Sequence, residues 1–225
     1  MAGRHLSAAE RDRVTAAVTA AEAGTDGEIV TIVAEQSDPY HDVALHYAVA
    51  AMLLVVALAA FAPALLADKV AWFTGGWDAP ALGEMLFAVL AIESIVFLAV
   101  RYALAHAPVR LALTPRTTRA RRVRRRAVQY FTVGAERRTQ ARVGVLLYLS
   151  LGERMAEIVV DEGVGTAVAP ERWGDAMIAL VAEVRHGRAG DGMAAAVDAI
   201  GTILAETFPK TDADVNELPD RLIEL

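Results

Sequence analysis

The side chains with chemical capacity are few and unevenly placed. Asp161-Glu162-Gly163 follows a run rich in β-branched residues, with Gly165 two positions on, and Asp26 stands ahead of another such run. Carboxylates beside glycines at a strand end suit a hard cation such as Ca2+, which takes about six to eight oxygen ligands. Asp26 joins Asp161 and Glu162 in such a site only if it lies at the same end of the sheet. The EF-hand spacing is absent, and an ordinary solvated acidic turn is the competing explanation. Glu93 is different, because apolar residues surround it on both sides. An acid inside a membrane span is a candidate proton relay, a partner for His46, or a contact with a neighbouring helix in an oligomer. Arg116, Arg119, Arg121, Arg122, Arg124, Arg125 and Arg126 crowd into the run RTTRARRVRRR. Such a run can meet nucleic acid, but it has few interleaved aromatics and follows an apolar segment. Anionic lipid, worth about 1 kcal/mol per base near the surface, explains it with fewer assumptions.

Other chemistries are missing. His5, His41, His46, His106 and His186 show no metal-ligand spacing, and no P-loop, GxGxxG or nucleophile elbow occurs. With no cysteine there is no disulfide, thiolate nucleophile or thiolate metal site, which suits a cytoplasmic setting. No catalytic or cofactor-binding residue is assigned.

The elements around these residues include two long apolar runs. Val43 to Ala67 has no charged residue and, as about 37 Å of helix, exceeds the roughly 30 Å hydrocarbon core. Pro63 lies near its far end, where a kink is tolerated. The second span, about 82–106, holds Glu93 near its middle and Arg101 near its end. Residues 68–80 read as the loop between them, with Trp72 and Trp77 as an interfacial belt. Twelve arginines and one acid, Glu136, fall between Arg101 and Arg142, while the whole chain carries −6. The loop between the spans has a single base, Lys69. The positive-inside rule therefore places both termini in the cytoplasm, with 43–107 as a transmembrane hairpin of a cell inner membrane. The polar Met1–Glu22 segment does not read as a cleavable signal.

Flanking the hairpin are the pieces of one soluble domain. Ser7 with Glu10 is a capping box opening a helix that Gly24 ends. Glu28–Ala34 reads as a strand. After Pro115, residues 117–131 read as a helix with Ala120, Val123, Ala127, Tyr130 and Phe131 on one face and arginines on the other. Val143–Ser150 reads as a central strand and Met155–Asp161 as its hairpin partner, joined by a turn at 151–154. Residues 171–186 and 190–207 read as helices, with Trp173 in the core, and 209–225 as a polar, loosely held tail. One strand before the hairpin and two after it make a single α/β domain, 1–42 and 117–208, interrupted by the membrane segment.

The run TDGEIVTIVAE, the helix carrying Tyr130-Phe131, the segment GVLLYLSLGERMAEIVVDEGV at Gly144–Val164 and Trp173 together resemble the TPM domain family. That family includes plastid thylakoid-lumen proteins linked to photosystem repair and many bacterial membrane proteins. An inserted hairpin is typical of one bacterial subgroup. The resemblance implies an α/β sandwich with a small mixed sheet. It also brings two activities reported for some members, calcium binding and weak acid phosphatase activity. The combined reading is a membrane protein that presents a cytoplasmic binding or regulatory module for membrane or envelope protein maintenance. Its expected partners are anionic lipid and another membrane protein or a second copy, not nucleic acid. A weak metal-dependent phosphatase is the alternative.

Overall fold

The computed structural model describes residues 5–76, 78–134, 143–211 and 220–225. Its elements run α1 (Ala8–Glu22), β1 (Glu28–Ala34), α2 (His41–Phe61), α3 (Pro63–Thr74), α4 (Leu82–Ala103), α5 (Ala107–Leu113), α6 (Arg116–Gly134), β2 (Gly144–Ser150), β3 (Met155–Val160), α7 (Glu162–Ala167), α8 (Trp173–Val184), α9 (Ala189–Thr207) and β4 (Ile223–Glu224). They divide into two compact units: residues 1–38 with 116–225, and residues 39–115.

In the first unit a four-stranded mixed sheet has the order β3-β2-β1-β4. β1 and β2 run parallel, with Glu28 opposite Gly144 and Ala34 opposite Ser150. β3 returns antiparallel to β2 through the turn at 151–154. A parallel pair needs a crossover connection, and here that connection contains the whole second unit and α6. Alternation along the strands gives the sheet two covered faces. Ile29, Val33, Val145, Leu147 and Leu149 pack with residues of α1, α8 and α9 such as Val14, Val18, Leu180, Val197 and Leu204. Ile32, Leu146 and Tyr148 pack on the opposite side with Val123 and Ala127 of α6. All seven residues of β2 are buried, as a central strand of β-branched, leucine and aromatic residues requires.

Local signals explain several boundaries. The Ser7 hydroxyl accepts from the Glu10 amide, and the Glu10 carboxylate accepts from the Ser7 amide, closing the expected capping box. Gly201 lets α9 approach α1, since a Cβ there would lie 2.5 Å from that of Ala21.

Other parts differ from the sequence reading. The tail expected to be loose from Pro209 returns to the sheet. Ile223–Glu224 pairs parallel with β1, Leu222 is buried, and Leu225 donates to Val33 O and accepts from the Glu35 amide. A run that short carries too little periodicity to read as a strand, and its edge position is set by the exposed hydrogen-bonding side of β1. The acidic turn after β3 is instead the short helix α7, with Asp161 at its N-cap.

The second unit is helical. The apolar run expected to be continuous over 43–67 is broken at Ala62-Pro63, because proline lacks an amide and clashes with the preceding turn. Residues 63–74, expected to straddle the first span's end and the loop, form α3, which Gly75 ends at φ 66°. Trp72 and Phe73 lie exposed on it, edge to face, with ring centroids 5.6 Å apart. Trp77 lies outside the described residues. α2 and α4 pack along one another, and both are long and apolar enough to cross a membrane.

Candidate functional site

A polar network stands in the α/β unit where β1 and β2 end. Three segments meet there: the loop Glu35–Asp38 after β1, the turn Leu151–Arg154 after β2, and the outer turns of α6. Gly152 makes the approach possible. Its amide donates to Glu35 O at 2.9 Å, and a Cβ at that position would sit 2.8 Å from the same oxygen. Glu153, next in the turn, is thereby carried inward and is 2% exposed. Its carboxylate accepts from the Ser37 amide at 3.0 Å and from the Ser150 hydroxyl. The Ser37 hydroxyl shares a 2.9 Å hydrogen bond with the Tyr148 hydroxyl. Burial pushes the Tyr148 phenol up to about 12, against the lowering effect of the Ser37 bond.

α6 closes this network from outside. Arg126 donates from Nε to Ser37 O at 2.9 Å, and its guanidinium lies 5.7 Å from the Tyr130 ring centroid. Tyr130 in turn sits 6.0 Å from the Tyr148 ring. Arg122 pairs with Asp38 at 2.8 Å, and Arg125 reaches the other Asp38 oxygen at 3.4 Å. Arg124 pairs with Glu157 at 3.3 Å. Burial raises the Glu157 carboxyl above its ordinary range, and Arg124 opposes that shift. Every group is thus placed to hold a loop, and the arrangement works as a clasp. Asp38 is the last residue before the helical unit, and Arg116 is the first residue after it.

Residues 102–203 match the family model of the TPM domain, from the end of α4 into α9. Over that stretch the chain is similar to the TPM domain. The NMR structure of the BA42 protein from the psychrophilic bacterium Bizionia argentinensis is similar, with TM-score 0.56 and 16% identity, over 98% of this chain and 95% of that one. At that identity the likeness concerns the fold alone. The chain has no match among curated protein sequences.

The three carboxylates suggested for calcium have other occupations around the sheet. Asp26 accepts from the Thr211 amide and hydroxyl at 2.7 and 2.8 Å, which hold its carboxyl below the usual range. Asp161 accepts from the Gly144 amide at 3.1 Å. Glu162 opens α7. Among the described residues no group of three or more His, Asp or Glu side chains is gathered in a way that could hold a metal ion. Asp26, Asp161 and Glu162 are therefore not brought together.

The arginines of α6 do not form one lipid-facing set either. Arg122, with 14% of its side chain exposed, and Arg126 are turned to the clasp. Helical periodicity could assign them a face but could not show that Asp38 and Ser37, on the far side of the insertion, would be beside it. In the helical unit, His46 Nδ1 bonds Asp42 O at 2.6 Å within its own helix, so it is not joined to Glu93. Among the described residues Glu93 has no hydrogen bond or ion pair and is half-buried.

No local pattern announces the clasp as a whole. Its signal lay in Tyr148 and Ser150, two hydroxyls on one face of an otherwise apolar central strand. Buried donors of that kind need partners.

Proposed function

We propose that this protein is a two-span inner-membrane protein that presents its TPM domain at the cytoplasmic surface as a binding module. The observation that carries this reading is the apolar surface of α2 and α4. Phe61 is 91% exposed, Leu82 75% and Phe87 71%, and Leu53, Leu58 and Ile95 are also exposed. A patch of that kind on a water-soluble chain would be an aggregation liability, whereas hydrocarbon covers it without penalty. Orientation rests on the single base between the helices, Lys69, against the arginines after α4.

A binding role is preferred to hydrolysis because the carboxylates at 26 and 161 serve as acceptors for backbone amides. Glu93 supports an intramembrane partner, another membrane protein or a second copy. An ionised acid at mid-span costs about 3 kcal/mol unless a neighbour receives it. The module's role is support of membrane or envelope proteins.

Alkaline extraction and protease accessibility of cells and inverted vesicles test the reading together. The protein stays in the pellet at high pH, and both flanks of the helical unit are cut only in inverted vesicles. Release at high pH, or cleavage in intact right-side-out vesicles, overturns it.

A further inference from the structure

We infer that Arg116 and Arg121, and not the arginine cluster as a whole, take the phosphate groups of anionic lipids. The assignment rests on the membrane reading above and divides a run of seven like residues into two jobs. Four of the seven are engaged within the domain: Arg122 and Arg125 on Asp38, Arg124 on Glu157, and Arg126 on Ser37 O. Two half-buried carboxylates and one carbonyl receive the four, with the side chains of Arg124 and Arg125 still largely exposed. Arg119 is half-buried, with its Nε enclosed and unpartnered. Arg116 and Arg121 are exposed and, among the described residues, form no ion pair or hydrogen bond.

Their position in the chain gives the partner. Arg116 comes 13 residues after the last residue of α4, and Arg121 five residues later. Lys and Arg immediately cytoplasmic of a span meet a surface of phosphate diesters. A guanidinium suits that chemistry because its fork can bond two phosphate oxygens at once. The internally engaged arginines would have to surrender a partner first, so the two uncommitted ones meet the headgroups at lower cost.

The full-length chain, reconstituted in phosphatidylcholine vesicles, is titrated with spin-labelled phosphatidylglycerol or phosphatidylcholine, and the fraction of motionally restricted lipid is measured by electron paramagnetic resonance. The wild type restricts phosphatidylglycerol several-fold more strongly, and R116Q/R121Q loses at least about half of that preference. The charge-matched double variant R172Q/R185Q, altered at the two caps of α8, keeps it. Equal restriction of the two lipids, or an unchanged preference in R116Q/R121Q, overturns the assignment. An equal loss in both double variants overturns it too. Alkaline extraction of the same vesicles separates the two readings: a retained protein without lipid preference overturns this assignment alone, and a released protein overturns the membrane reading with it.

Discussion

The Asp38 carboxylate meets the Arg122 guanidinium at 2.8 Å across 84 positions of sequence. One residue precedes the helical unit and the other follows it, so this pair closes the neck through which the chain leaves and re-enters the α/β domain. Both side chains are more than four-fifths covered. Removing one partner of such a pair leaves the other charge poorly solvated. Asp38→Asn should therefore destabilise the domain by about 1–3 kcal/mol. Arg125→Gln, which loses a longer and exposed contact, should fall within about 0.5 kcal/mol of wild type. Chemical denaturation in detergent micelles, followed by circular dichroism, measures both.

If the neck is closed by residues of the domain itself, the insertion is dispensable for the domain's folding. Replacing residues 39–115 by a flexible linker of about eight residues should yield a protein soluble without detergent, with a cooperative thermal transition. Aggregation, or a transition without cooperativity, would show that the insertion helps to hold the sheet.

Tyr148 should ionise late. Its phenol is pushed up to about 12 by burial, so absorbance at 295 nm should show a late phase that Tyr148→Phe removes. The same substitution deletes the partner of the Ser37 hydroxyl and should cost about 1 kcal/mol.

Glu22 gives the fold a pH dependence. Burial raises its carboxyl to about 8, despite a hydrogen bond from the Ile29 amide that favours the charged form. The folded form thus holds a proton that the unfolded chain releases near 4.5. This contribution is complete below about pH 4.5 and is lost as pH rises through about 8. Glu22→Gln keeps an acceptor for Ile29 and should flatten the decline between those limits, with a gain on the order of 2–4 kcal/mol near pH 8.5. Melting temperatures across pH 5–9 for both proteins check the sign; parallel curves would remove Glu22 as the cause.

Glycine spacing gives a packing test. Gly201→Ala forces a methyl against Ala21 and should destabilise by about 1–3 kcal/mol. At Gly174 on α8 a Cβ meets nothing within 4 Å. Gly174→Ala should be neutral or stabilising by up to about 1 kcal/mol. Equal effects in denaturant melts would contradict the close α1–α9 contact.

Much was legible in the residues alone wherever the signal is local. The Ser7–Glu10 box, the β-branched run of β1, the apolar run of β2, the two long apolar helices and the core stripe Val123–Ala127 all follow from capping chemistry and periodicity, which span a few residues. The same signals placed the helical unit between β1 and β2. They read the proline at position 63 too leniently, because the tolerance of a kink depends on what surrounds the helix.

Only the tertiary structure decided the partners. Arginines at 122 and 126 carry the same charge as those at 116 and 121, and which of them find a partner depends on where the chain on the other side of the insertion returns. Glu153 looks like a turn residue until Gly152 brings it under Ser37. Ile223-Glu224 is too short to announce a strand, and becomes one because β1 has a free edge to pair. Spacing in sequence sets which way a side chain points along its own element. What it points at is settled by long-range closure, which carries no local pattern.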